Sequence, residues 1–347
     1  MSIDLTDRIL GSLCLAGMGD ALGAQTEQWT IDEIAQQHSG LVTTFGQPPM
    51  DTFAGANNGK QAEVTDDASQ MYYLARALIA AHGKLDYDGW VACLLDWAAT
   101  SPKAGFMGPS TANMVKALQS GEDVGRVGVI GSSLRKMTTV GNTNGAAMRV
   151  APCGMIHPGD LEGTCEQAFI TCLPSHDTDV AIASACCVAA AVSEALVNPS
   201  LSHVIPACRR GAQMGDQIAR DRARRIAGPH FIARLEMALE IAARSDNDHS
   251  FMVDMERNVG NSVLAAESVP AAIGVIVYAK ADPLRTIALS ASIGNDTDSI
   301  ATIAGAIVGA MHGTKGLPQD LYREFLQVND KDYQLADMAR QLAALSR

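Results

Sequence analysis

The chain is poor in aromatic residues, which make up 5% of it against 47% hydrophobic residues overall. Small side chains must therefore fill much of the interior, and Ala-rich runs such as Ala181 to Ala195 imply helices packed closely through small faces. Strand-like alternation is scarce, which argues against a sheet-based architecture. No Pro/Gly/Ser-rich linker or charge block divides the 347 residues, so one large domain over 1–347 is expected. The Met1 to Leu10 stretch carries Asp4 and Asp7 and lacks the apolar core of a signal peptide. No apolar run reaches membrane-spanning length. Both absences point to a cytoplasmic protein with no membrane partner.

Other absences narrow the chemistry. The eight cysteines form no CxxC pair and no Cys/His zinc spacing, which leaves buried thiols. Cys186 and Cys187 point in different directions on a helix and pair poorly with each other. A net charge of -12 excludes a broad nucleic-acid surface, and any anionic ligand would need bound cations to offset that field. There is no Gly-x-Ser-x-Gly elbow for a serine triad and no strand followed by a Gly-rich helix start for a dinucleotide.

What is present is helical periodicity. Met71, Leu74, Ala75, Leu78 and Ile79 fall at helical spacing with Gly83 as a stop, so the Thr65 segment opens a helix. Ile300, Ile303, Ala304, Ile307, Val308 and Met311 repeat the pattern, and Gly305 and Gly309 permit close contact, which predicts a buried central helix. Further helical patterns cover roughly 5–17, 88–98, 111–118, 161–172, 177–197, 203–220, 231–243, 270–280, 284–291 and 321–345. The segments 45–60, 101–109, 121–131 and 140–145 are Gly- and Pro-rich loops, where binding residues tend to collect. Arg209, Arg210, Arg220, Arg222, Arg224 and Arg225 are interspersed along a helix and read as a solvated face.

Two of these helix starts are unusual. Thr65-Asp66-Asp67 and Asp296-Thr297-Asp298-Ser299 each place two carboxylates and a hydroxyl in a first turn. One carboxylate is enough for a cap. Two repel one another unless a cation or a proton relieves them, and a hard divalent cation takes several oxygen ligands. The segments therefore read as two halves of one metal site. His176-Asp177-Thr178-Asp179, followed by Ala181, Ala183 and Ala185, echoes the second half, and spacing does not choose between them.

The ordered set Gly19-Asp20-Ala21-Leu22-Gly23 with Glu27, Thr65-Asp66-Asp67, Thr143-Asn144-Gly145-Ala146-Ala147-Met148-Arg149, Ser175-His176 and Asp296-Thr297-Asp298-Ser299 resembles the ADP-ribosylglycohydrolase family. The match covers nearly the whole chain, and its strength lies in the order of five motifs rather than in any one of them. The resemblance implies an all-α, roughly orthogonal helical bundle, two Mg²⁺ ions with Mn²⁺ as a substitute, and hydrolysis at the anomeric carbon of a ribose. It places the metals on Thr65, Asp66, Asp67, Asp296, Asp298 and Ser299, makes Asp177 and Asp179 bystanders, and puts His176 at the substrate. Ala68 stands where many members carry threonine, so a hydroxyl contact is missing there unless Ser69 supplies it. The loop of Glu27, Gln28 and Trp29, with the Thr143 to Arg149 stretch, resembles a bacterial branch.

The expected roles follow. Glu27 is the acid/base candidate, against the alternative of an exposed loop carboxylate, and Asp66 and Asp298 join it as catalytic candidates by holding the cations. Trp29 offers a stacking face. Asn144 and Gly145 offer polar and backbone donors, with Met148, Arg149 and His176 beside them. Arg149 reads either as a phosphate partner or as a buried ion pair. Asp20 could position the metal residues through hydrogen bonds. Three functions are open: removal of ADP-ribose from a modified acceptor, release of the base from a plain or modified nucleoside-like small molecule, and a non-catalytic role as an ADP-ribose-binding or structural relative. Retention of the four aspartates and Glu27 argues against the last.

Overall fold

Small residues let two helices from opposite ends of the chain touch backbone to backbone. In the computed structural model, which describes residues 4–346, the Leu5–Gly23 helix lies along the Thr297–His312 helix. A methyl group on Gly11 would sit 2.6 Å from the Gly309 carbonyl oxygen, one on Gly305 2.4 Å from the Leu15 carbonyl oxygen, and one on Gly19 2.3 Å from the Ala301 carbonyl oxygen. One on Gly23 would lie 2.5 Å from the Asp298 backbone nitrogen. This antiparallel row brings the end of the first helix to the start of the other, where Asp296 and Asp298 stand. As predicted, that helix is central, and every residue from Thr297 to Met311 is buried.

The described residues form 18 α-helices, three short 3₁₀ turns and three isolated bridges, with no strand among them. The fold is all-α, as expected. The Asp179–Val197 helix lies at the centre and packs on the Leu161–Cys172, Leu201–Arg222 and Thr297–His312 helices. It also corrects an expectation: by length and composition it could cross a membrane, although no apolar run was expected to reach that length. Its most apolar window is 89% buried within the protein, so the Ala-rich surface is used for helix contacts. Residues 1–3 of the Met1 to Leu10 stretch lie outside the described residues. All eight thiols are free, and only Cys93 is not fully buried.

Several boundaries differ from the sequence pattern. The segment 321–345 is two helices, Gln319–Tyr333 and Leu335–Leu345, broken at Gln334, which takes a left-handed φ of 54°. Five helices fall where none was predicted: Ile31–His38, Phe53–Ala56, Gly145–Arg149, Ala151–Met155 and Asp248–Asn258. Most of the basic run faces solvent, with Arg209 paired to Glu236, Arg220 to Asp216 and Arg222 to Glu166, but Arg224 departs from the expected solvated face: it is partly buried and bonded to Asp177 and the Val140 carbonyl.

Candidate active site

Thr65 begins the Asp66–Ala80 helix in the ordinary way, its hydroxyl accepting from the Asp67 N–H at 3.3 Å. That start is also held from outside. Asp20, buried on the first helix, accepts from the Thr65 N–H at 2.9 Å, the Thr65 hydroxyl at 2.7 Å and the Ala68 N–H at 3.0 Å. Asp66 and Asp67 are thereby fixed in the first turn. On the other side Thr297 donates to the Gly23 carbonyl at 2.9 Å, and Thr26 donates to the Ala291 carbonyl at 2.7 Å. The Glu27 loop is sewn to the loop before Asp296 by two backbone bonds: the Gln28 N–H donates to the Asn295 carbonyl at 2.7 Å, and the Asn295 N–H to the Trp29 carbonyl at 2.9 Å. Gln28 and Asn295 both adopt positive φ to make this turn.

The two halves and the Glu27 loop open on one cavity of about 350 Å³. Its acidic part is Glu27, Asp66, Asp67, Asp296 and Asp298 with Ser299; a polar part is Ser110, Thr111, Thr143, Asn144, Gly145 and His176; an apolar part includes Phe53, Phe106, Met107, Met148 and Val263. Among the described residues no lysine or arginine lines it. Carboxylate oxygens of Glu27, Asp296 and Asp298 lie within 4.8 Å of one another. Asn144 donates its amide protons to Asp296 and, at 2.8 Å, to Ser268.

The electrostatics are those of crowded anions. Burial first, then the charge of Asp298, pushes the Glu27 carboxyl up to about 11. The same two causes raise Asp66 and Asp67 well above the usual carboxylate range and Asp20 to about 7. Asp296 is raised by burial and by Asp298, and Asp298 itself reaches about 6 through burial. Glu27 Oε2, Asp67 Oδ2 and Asp298 Oδ1 are buried with no hydrogen-bond partner among the described residues. Bare oxygens on converging carboxylates are a donor set suited to hard divalent cations.

Most of the sequence candidates meet here, and four depart. Trp29 does not line the cavity; its ring packs on His38 at 6.4 Å, so it offers no stacking face. Arg149 is fully buried behind the cavity wall, bonded to Gln70 and Ser175 and stacked on Trp90, and reaches neither a phosphate position nor a carboxylate. Thr65 lies behind the cavity surface, its hydroxyl engaged by Asp20. Ser69 does not replace the hydroxyl missing at Ala68, because it accepts from the Trp97 indole at 2.8 Å and bonds Ser101. Asp177 is tied to Lys136 and Arg224, and Asp179 to the Ile226 N–H, away from the cavity.

Sequence reasoning missed Phe53, Phe106, Ser110, Gln70 and Val263. The two phenylalanines meet edge to face at 6.3 Å and belong to a small cluster around Ala24 and Ala54. Their signal was their rarity: the chain has 7 Phe, and these two stand in segments otherwise rich in Gly and Pro.

The whole chain, residues 1–347, matches the family model described as ADP-ribosylglycohydrolase. It is 33% identical over 336 residues to an uncharacterized protein, YegU, of Escherichia coli (strain K12), with 94% of each chain covered. It is 28% identical over 299 residues to an uncharacterized protein of Archaeoglobus fulgidus, covering 86% of both. ADP-ribosylhydrolase ARH3 of Gallus gallus is 26% identical over 330 residues, with 88% of this chain and 86% of that one covered. A solved structure titled ADP-ribosylglycohydrolase-related protein complex superposes with a TM-score of 0.64 at 19% identity, covering 99% of both chains, a likeness of fold.

Proposed function

This chain belongs to the ADP-ribosylglycohydrolase family, whose members hydrolyse glycosidic bonds, and from that premise we propose that it removes ADP-ribose from a modified acceptor by metal-dependent hydrolysis. In this reading the chain acts as one domain over 1–347. The observation that carries it is the acidic part of the cavity: five buried or half-buried carboxylates on three separate segments, each pushed toward its protonated form by burial and all but Asp298 also by the charge of Asp298. Keeping so many anions together is costly unless cations offset them. Asp66 and Asp67, with Thr65 behind them, and Asp296, Asp298 and Ser299 opposite, would hold two Mg²⁺ or Mn²⁺ ions. Cations held there would supply Lewis-acid chemistry, favouring ionisation of water near neutral pH and offering a counter-charge to ribose hydroxyls.

The protein groups supply the rest. Glu27 Oε2 is buried without a partner among the described residues, and burial, then the charge of Asp298, pushes its carboxyl well above the usual carboxylate range. It is the group that gives a proton to the departing atom as the bond to ribose breaks, and takes one back from water. Asn144 fixes the rotamer of Asp296 and Asp20 fixes Thr65. Phe53, Phe106 and Met107 exclude water beside Glu27 and give the substrate an apolar surface.

One observation favours a second reading, release of a base from a nucleoside-like molecule. The cavity offers aromatic rings to a planar group and, among the described residues, no lysine or arginine to a diphosphate. Product analysis separates the two. Purified protein is given Mg²⁺ or EDTA together with ADP-ribosylated arginine or serine peptides, and in parallel with free nucleosides. Release of ADP-ribose that requires the metal is the expected result. Free base without peptide cleavage moves the protein to the second reading, and no product from either set rejects both.

A further inference from the structure

Arg149 is fully buried, and among the described residues no carboxylate lies within ion-pairing distance of it. A buried cation is held by the hydrogen bonds its N–H groups make, and here the two terminal nitrogens make them while Nε is buried without a partner among the described residues. Its guanidinium stacks 5.0 Å from the Trp90 ring centroid and donates to three neutral oxygens: Gln70 Oε1 at 2.7 Å, Ser175 Oγ at 3.0 Å and the Thr171 carbonyl at 3.5 Å. A guanidinium has no acceptor, so each partner must accept, and this sets the direction of the bonds beyond it.

On one side Gln70 must turn its oxygen toward Arg149. Its amide nitrogen is then left to donate to Asp66 Oδ2, at 2.9 Å. On the other side Ser175 spends a lone pair on Arg149, and since among the described residues its hydroxyl meets no other acceptor, its proton goes to His176 Nδ1 at 2.7 Å. Burial, with the Arg149 charge, keeps the His176 ring neutral. With Nδ1 accepting, the ring proton sits on Nε2 and is donated to Thr143 Oγ1 at 2.9 Å. Thr143 in turn donates to Ser110 Oγ at 3.1 Å. Ser110 lines the cavity, and among the described residues no protein acceptor takes its O–H.

We propose that Arg149 is a positioning residue that sets the hydrogen-bond polarity of the cavity, presenting an N–H to Asp66 through Gln70 and making Ser110 a donor to substrate through Ser175, His176 and Thr143. With one lone pair taken by Thr143, Ser110 keeps its O–H for the substrate, and the atom that uses it is an acceptor such as a phosphoryl, carbonyl or ring oxygen. This consequence rests on the cavity being the ADP-ribosyl site; the polarity of the relay does not.

Two measurements test it, and neither needs turnover. Nitrogen-15 NMR of the histidine-labelled full chain is expected to report a neutral His176 protonated at Nε2, and Ser175→Ala is expected to abolish that single-tautomer signature while leaving Arg149 in place. An Nδ1-protonated ring in the wild type, or a spectrum untouched by Ser175→Ala, overturns the proposal. Calorimetry with ADP-ribose is expected to show affinity lowered about tenfold by Ser110→Ala and by Ser175→Ala, and no further in the double variant. Additive losses would mean that the two serines act separately and would reject the relay. If wild-type protein binds no ADP-ribose, the function proposed above fails, and the tautomer still decides the relay.

Discussion

Asp20 grips Thr65 with both carboxylate oxygens, Oδ2 on the backbone N–H at 2.9 Å and Oδ1 on the hydroxyl at 2.7 Å. The first helix thus helps to cap the helix that carries Asp66 and Asp67, and the Ala68 N–H is bonded by the same Oδ2. Asp20→Ala would leave two buried backbone donors without partners, at about 1–3 kcal/mol each. Thermal unfolding should therefore show a loss of several degrees, and Mg²⁺ affinity should fall as the start of the Asp66–Ala80 helix loosens. A variant that melts like the wild type would show that the helix start is held by other contacts.

The crowded carboxyls predict how metal and pH act together. Folding raises their pKa values, so they bind protons more tightly when folded. Their contribution to stability is full below the ordinary carboxylate value and is lost as pH rises through about 6 for Asp298, 7 for Asp20 and 11 for Glu27. His176, whose pKa is lowered, works in the opposite sense and loses its contribution as pH falls. Metal-free protein should be most stable in mildly acid solution and weaken steadily above it. Mg²⁺ prefers the ionised carboxylates, so the stabilisation it gives should grow from pH 6 to pH 8, reaching about 2.7 kcal/mol per site at a hundredfold excess over Kd. Melting curves in EDTA and in Mg²⁺ across that range test this; an equal shift at both pH values would argue against cations among these groups.

How much of this was legible in the sequence depends on the range of the interaction. The helix after Asp298 could be read because Ile300, Ile303, Ile307 and Met311 all face the interior. The Ile31–His38 helix could not, since only Ile31 and Ile34 are buried and two residues set no period. The break at Gln334 carries no glycine or proline signal; Tyr333 beside it packs on Tyr72, with ring centroids 4.6 Å apart, and that contact is long-range. The acidic residues announced themselves as charges placed where charges are expensive. Arg149 looked like a ligand-binding cation for the same reason, and only its contact with Gln70, 79 residues away, shows that it works from behind the wall. Phe53 and Phe106 gave no periodic signal because they stand on a four-residue helix and a three-residue 3₁₀ turn, too short to set a period.

Gly145 is where the polar wall is thinnest. A methyl group there would lie 2.9 Å from both Cε1 and Nε2 of His176, a ring that is fully buried and held at both nitrogens. Gly145→Ala should displace the imidazole from Thr143 at a cost of about 1–3 kcal/mol. The loss should appear as a lower melting temperature together with weaker ADP-ribose binding. Unchanged binding would mean that the His176 position has no bearing on the site.

Asp298 makes the sharpest prediction because it is the charge that most raises the pKa of its neighbours. After burial it is the leading cause of the upward shifts at Glu27, Asp66, Asp67 and Asp296, and its own Oδ1 is buried without a partner. In metal-free protein at pH 8 Asp298→Asn should relieve that repulsion, so the variant should melt higher than wild type although it has lost a functional group. In Mg²⁺ the order should reverse, because the wild type gains stabilisation and the variant has one fewer anionic oxygen to offer. Turnover of an ADP-ribosylated peptide should drop about a hundredfold or more, on the scale seen when a metal site is disturbed. Melting order with and without metal is the decisive readout, since a residue needed only for folding would lower stability under both conditions.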